Sequence, residues 1–331
     1  MGAIPSAVCY PARMTPPEPM TGTPLPAGFT LRAPRSEDAP AIADLLRARD
    51  IANYGAPDSD EADVRSEWTV PLMDPARDAW IVFDPGERPA GYALIRVRDP
   101  GRAFDGELSV SPQHSYEDVG RHLLERLEAR ARERAEAPDA RLNVVCPSVE
   151  AGKVALVTGA GFEYGRTFFR MAIDVPAGFR SPDPPADVAV RPLRLERDER
   201  AAHAVLEESF SEHFGFARRP FDEWWNLHTG HERFDPDLCF LAWRGEEALG
   251  GLLAFDFGDM GFVREVGVLK PWRGRGIATA LLLRSFQAFL DRGQARVMLG
   301  VDSENPGALG LYERLGMNVD QRHDLYRKVV G

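Results

Sequence analysis

Short apolar runs stand on either side of a polar turn in AWIVFDPGERPAGYALIRV (79–97), and again in CFLAWRGEEALGGLLAFDF (239–257). Each stretch is interrupted by a Gly-containing polar turn, so each predicts two strands. GELSVSP (106–112) and REVGVLKP (264–271) then supply a third strand in each series. The period changes to the helical one in VGRHLLERLEARARERA and in GIATALLLRSFQAFLDRG. RLNVVCP and RVMLGVD follow as buried strands. ALVTGAGFEYGRTFFRMAIDV and GLYERLGMNVDQRHDLYRKVV close the two series with a helix, a glycine turn and a last strand. Upstream, FTLRAPRSEDAPAIADLLRARD and VAVRPLRLERDERAAHAVLEESF open them alike, with a strand, an Arg-Ala-Pro or Arg-Pro, a charged cap and a helix. One pattern is written twice, at a domain-sized period.

The repeat divides the chain into 28–176 and 188–331, joined by the linker AGFRSPDPPAD (177–187). Residues 1–27 read as a flexible Pro-rich arm, too polar for a signal peptide or a membrane span. Early antiparallel hairpins followed by strand–helix alternation predict an α/β fold. It holds two tandem units, each a mixed, mostly antiparallel sheet flanked by helices.

Composition narrows the chemistry. The 331 residues carry a formal charge of −11, which argues against nucleic acid or anionic membrane as a partner and favours a cationic or amine substrate. Cys9, Cys146 and Cys239 are far apart and form no CxxC, so neither a metal centre nor a disulfide framework is expected. The expected compartment is the cytoplasm.

Against that negative background, WRGRGIATALLL (272–283) places two arginines between glycines at the start of a helix. A Gly-rich turn between strand and helix exposes successive N–H groups at the positive end of the helix dipole, which suits a diphosphate. Gly274 and Gly276 permit positive φ and close backbone approach, and Arg273 and Arg275 can add charge-assisted bonds. A Rossmann fingerprint would need glycine where Thr279 stands, and no P-loop sequence occurs.

Arg273, Gly276 and Ala278 meet the motif of Arg or Gln, two residues, Gly, one residue, then Gly or Ala. About thirty residues on, Asn305, Ala308, Leu311, Tyr312 and Gly316 fall at the spacing of a second motif. On these residues the chain resembles the GNAT superfamily of acetyl-CoA-dependent N-acetyltransferases, over all of 188–331 and more weakly over 28–176. The resemblance implies that pantetheine pairs with Val266, Gly267 and Val268. It implies that pyrophosphate rests on the amides of Arg273, Gly274, Arg275, Gly276, Ile277 and Ala278, with Asn305 also part of the cofactor site. It implies that Tyr312 protonates the departing thiolate; a rim or core aromatic is the other reading of that residue.

Aligning Val110 with Val268 puts Ser115 at the Arg273 position, Asp118 at Gly276, Gly120 at Ala278 and Val157 at Tyr312. The first half has lost the arginine and the tyrosine and gained a carboxylate where the anion belongs. It reads as a degenerate unit that buttresses the second half, or as a site for a different ligand. The tandem layout is similar to that of the mycothiol synthases, which carry a glutamate six residues before the Val268 position; here that residue is Phe262. Glu265 is the nearby carboxylate and the candidate base, on the opposite strand parity unless a bulge re-aims it. Asp256, Asp259 and Asp302 are other candidates, and a water relay would need none.

The acceptor side is expected within SEHFGFARRPFDEWWNLHTGHERFDPDL (211–238). There Phe221, Trp224, Trp225 and His228 recur at helical spacing and read first as packing. His213 and His231 are possible substrate contacts, and His228–His231 lacks the further ligands of a metal site. Glu207, Glu208 and Glu212 read either as amine-attracting or as a solvated helix face. The sequence therefore points to acetyl-CoA as co-substrate, a small-molecule amine as acceptor, no metal, and a monomer or homodimer. The alternative from another class is an acyl-CoA-binding sensor or interaction protein.

Overall fold

The computed structural model describes residues 24–331. Cys9 and most of the Pro-rich arm lie outside the described residues. The first half runs β1 (Thr30–Arg32), α1 (Ala39–Tyr54), α2 (Glu61–Glu67), α3 (Pro75–Asp78), β2 (Ala79–Phe83), β3 (Pro89–Asp99), β4 (Ala103–Val110), α4 (Arg121–Arg134), β5 (Arg141–Pro147), α5 (Ala151–Gly159) and β6 (Glu163–Asp174). The second runs β7 (Ala189–Pro192), α6 (Glu199–Phe210), α7 (Phe221–Thr229), β8 (Phe240–Arg244), β9 (Glu247–Asp256), β10 (Met260–Val268), α8 (Ile277–Asp291), β11 (Arg296–Asp302), α9 (Pro306–Arg314) and β12 (Asn318–Val329).

All twelve strands join one sheet in the order β1-β2-β3-β4-β5-β12-β6-β11-β10-β9-β8-β7. Only β4–β5 and β10–β11 pair in parallel. The order contains an exchange: β12 lies between β5 and β6, and β6 lies between β12 and β11. Each half thus completes its sheet with the other's last strand, and β6 and β12 pair antiparallel from Asn318↔Ala172 to Arg327↔Glu163. A second half expressed without β6 would leave the β11 edge unpaired.

Helices cover both faces. On α8, Ile277, Leu281, Leu282, Phe286 and Phe289 recur at helical spacing and are buried with Leu252, Val263 and Leu299. Phe289 needs Gly261 beneath it, since a Cβ there would fall 2.5 Å from its ring atoms. On the other face Leu206 and Trp224, from α6 and α7, bury Leu241 and Leu253. The first half repeats the plan, with α1 and α2 over Ile81 and Leu94 and with α4 over Ala93 and Ile95. No described helix is long and apolar enough to cross a membrane.

Candidate active site

Between β10 and β11 the sheet opens into a wedge. Their parallel pairing ends at Val263↔Leu299, while β10 continues to Val268 and β11 to Asp302. On its other side β10 stays paired, with Val266 opposite Leu252, Gly267 opposite Gly251 and Val268 opposite Gly250. Backbone groups of Val266–Val268 therefore face the wedge, where an extended chain can add as a strand.

The wedge leads to the start of α8. Gly274 and Gly276 hold φ of 74° and 79°, in the region that favours glycine. Gly274, Arg275 and Gly276 are exposed, whereas Ile277 is buried and anchors the helix. No side chain caps α8, so its first amides stay available to an anion. Arg273 is tied down: Nε donates to Val268 O at 3.1 Å and Nη2 to Ser209 O at 3.0 Å, stapling α6 to the end of β10. Its Nη1 lies 3.4 Å from Glu212, which also pairs with Lys270 at 2.7 Å. The Arg275 guanidinium stands 4.7 Å from the Trp272 ring centroid.

The matching place in the first half is filled from within. Pairing of β4 with β5 also stops early, at Gly106↔Val144. There the Tyr116 hydroxyl donates to Glu150 Oε1 at 2.7 Å and lies beside the Val110 amide, at the position matching Val268. A Cβ on Gly120 would fall 2.7 Å from the Tyr116 ring. Ser115 Oγ accepts from the Asp118 amide at 3.0 Å and so caps the helical turn Tyr116–Gly120 that leads into α4, whereas the turn into α8 has no such cap. Both the amides and the wedge are already occupied.

Tyr312 sits on α9, six per cent exposed, in the apolar cluster that holds Val268, Ile277 and Val301. Burial alone pushes its hydroxyl up to about 12. It stays protonated at any ordinary pH and is a donor, not a base. Asn305 Oδ1 accepts from the Ala308 amide at 3.1 Å and so caps the helix that carries Tyr312.

Glu265 is placed by a bulge. The β9–β10 register shifts between Val263 and Glu265, with Phe262 opposite Phe255 and Glu265 opposite Leu253. Phe255 stacks on His231 at 4.8 Å between centroids, and Leu253 packs with Trp224. Phe262 and Glu265 thus share the α6/α7 face, although three residues separate them. His228 is 1% exposed and has an acceptor at each nitrogen: Nδ1 is 2.7 Å from Trp224 O, and Nε2 is 3.2 Å from Glu265 Oε1. The carbonyl can only accept, so Nδ1 carries hydrogen and a further proton must lie between Nε2 and Glu265. Burial pushes the Glu265 carboxyl up. The His228 hydrogen bond and the charges of His228, Arg264 and Arg219 outweigh that and hold it below the usual range.

The model of the acetyltransferase (GNAT) family matches residues 40–153 and 200–317, more than half of the chain. The chain belongs to the GNAT family of acetyltransferases. A mycothiol acetyltransferase of Parafrankia sp. strain EAN1pec is 30% identical over 90% of this chain and 97% of its own. A GCN5-related N-acetyltransferase from Sphaerobacter thermophilus superposes with a TM-score of 0.80 at 30% identity, covering 93% of this chain and 97% of the other. A tandem GNAT protein from the clavulanic acid biosynthesis pathway shares the fold, with a TM-score of 0.72 at 16% identity, over 92% and 99% of the two chains. The GNAT assignment makes the protein an acetyltransferase and brings acetyl-CoA as the family's co-substrate.

Other residues of this GNAT chain have settled partners. Asp302 pairs with Arg166, and Asp256 with Gln294 and Arg292. Glu207 accepts from the Arg219 amide at 3.0 Å, and Glu208 pairs with Arg218 at 3.0 Å. Asp259 is exposed in the turn before β10. Among the described residues no cluster of three or more His, Cys, Asp or Glu is placed to hold a metal. Three features escape sequence reasoning: His228 as the partner of Glu265, Tyr116 as the plug of the first half, and Arg273 as a staple. The helical spacing of Trp224 and His228 was the signal that placed both on the sheet-facing side of α7.

Proposed function

We propose that the protein moves an acetyl group from acetyl-CoA directly to a primary amine of a small molecule, in the half spanning 188–331. The observation that carries this reading is the contrast between halves. The second has an open wedge and an uncapped helix start, while in the first Tyr116 and Ser115 occupy both. In this reading Val266–Val268 receive the pantetheine and the amides from Arg273 to Ala278 receive the pyrophosphate. Arg273 supports the cradle by fixing β10 to α6.

Acetyl-CoA supplies the activated thioester. As the amine forms the C–N bond and the C–S bond breaks, Glu265 receives the amine proton and Tyr312 gives its proton to sulfur. His228 holds Glu265 in place and keeps it ionised. Relatives that bear the name mycothiol acetyltransferase support a small-molecule acceptor, and the bulge gives Glu265 the same face as Phe262, where the mycothiol synthases carry their glutamate. The reaction fits a cytoplasmic protein.

An amine library screened by thiol release from acetyl-CoA tests the reading. Release that depends on the amine is expected; tight CoA binding with no transfer to any amine would favour the sensor instead. Glu265→Gln should lower kcat/KM by roughly 100-fold near neutral pH, within the range for a lost general base. The deficit should narrow at alkaline pH, where hydroxide can take the amine proton in place of Glu265. A deficit independent of pH would remove Glu265 from the proton path.

A further inference from the structure

The helical layers of the two halves meet over the start of β10. Arg233 pairs with Asp60, and His231 Nε2 lies 3.7 Å from Asp63. Arg170 of β6 pairs with Asp58 and sets its guanidinium 5.6 Å from the Phe262 ring. Arg96 of β3 holds Glu67 at 3.0 Å and also holds Glu107. The seam between the halves therefore runs past Phe262 and Glu265, and the carboxylates along it already have cationic partners.

Arg264 is the exception. It is the bulged residue, with no rung to β9, and its side chain is exposed. Its neighbour Glu265 is held by His228, and among the described residues no carboxylate pairs with Arg264. Packing around the guanidinium lowers its pKa, although the side chain stays open to solvent. Glu265 alone opposes this, while Arg219, Arg96 and Arg170 add to it. The chain has 51 acidic side chains against 40 basic ones, so the missing partner does not reflect a shortage of acids. An open guanidinium with no carboxylate partner, close to other arginines, is favourably placed to receive an anion.

We propose that the acceptor is an amine bearing an anionic group, a carboxylate or a phosphate, which Arg264 receives while the amine meets Glu265. The proposal rests on the acetyl-transfer reading above. Arg264 and Glu265 are consecutive, with Cα atoms about 3.8 Å apart, so one small molecule can span both. The planar guanidinium suits two parallel bonds to either anion.

Matched pairs test this: L-amino acids against their carboxamides, and phosphoethanolamine against ethanolamine. The wild type should favour the anionic member of at least one pair by about 10- to 100-fold in kcat/KM, the scale of a charge-assisted bond. Which pair shows it separates carboxylate from phosphate. Arg264→Gln should bring that ratio to within about threefold, and Arg264→Lys should keep part of it, with folding checked by acetyl-CoA titration. No preference in the wild type, or one that survives Arg264→Gln, overturns the proposal, and the wild-type ratio decides even if the variants do not fold. If no amine in the panel is acetylated, the transfer reading fails separately. The same pairs titrated calorimetrically with CoA present then judge the anion site, and equal or absent binding of both members overturns it.

Discussion

Gly276→Asp weakens acetyl-CoA binding by more than an order of magnitude while the chain stays folded. The substitution copies Asp118 of the first half into the second and sets a carboxylate at the helix start proposed to receive the diphosphate. Like charges about 4 Å apart repel by about 1 kcal/mol in water and about 4 kcal/mol at an effective dielectric near 20. Gly276 is exposed, so the lower part of that range, about 1 to 2 kcal/mol, applies to each of the two diphosphate charges, and a loss of roughly 30- to 900-fold in Kd is expected, or about 2 to 4 kcal/mol in all. The fold tolerates the residue: the nearest atom to a new Cβ is Pro185 Cγ at 3.4 Å. The φ of 79° costs a non-glycine residue about 1 kcal/mol, least for Asp and Asn. Gly276→Asn carries the same backbone strain without the charge and should keep affinity within about tenfold. Calorimetric titration with acetyl-CoA reads both variants, and equal losses would mean that geometry, not charge, governs the cradle.

Tyr312→Phe is expected to lower kcat by about 100- to 10,000-fold, the range for a general acid, with acetyl-CoA affinity kept. Burial alone sets the high proton affinity of the hydroxyl, so its removal breaks no charge pair in the folded chain, and stability should change little. Single-turnover rates with an acetylated amine identified from the library, beside the Kd for acetyl-CoA, separate the two effects. A kcat within about threefold of wild type would make Tyr312 a packing residue.

What the sequence made legible was local. The repeated order of strand, turn and helix follows from short-range periodicity, and RLNVVCP and RVMLGVD are strands from first residue to last. The left-handed Gly274 and Gly276 could be read from spacing, since a tight turn into a helix needs them. What escaped was long-range. Nothing in the pattern of either half says that β6 and β12 change places, because each strand satisfies the same alternation beside either neighbour. The side of Glu265 depended on whether Arg264 bulges, and a bulge shows itself only in the pairing with β9. His228 meets Glu265 across 37 residues through the docking of α7. Tyr116 aligned with Gly274, a position where only its packing against Gly120 and Gly152 shows that it fills the wedge. Arg273 matched its motif by type, and its bonds to Val268 O and Ser209 O could be seen only once α6 was placed.

That the second half alone carries the cofactor chemistry is tested most directly by the stoichiometry of acetyl-CoA binding. Calorimetric titration of the full chain should give one acetyl-CoA per chain, weakened by more than an order of magnitude in Gly276→Asp and unchanged in Tyr116→Phe, which alters only the first half. Two sites per chain, or one site that keeps its affinity in Gly276→Asp, would contradict it.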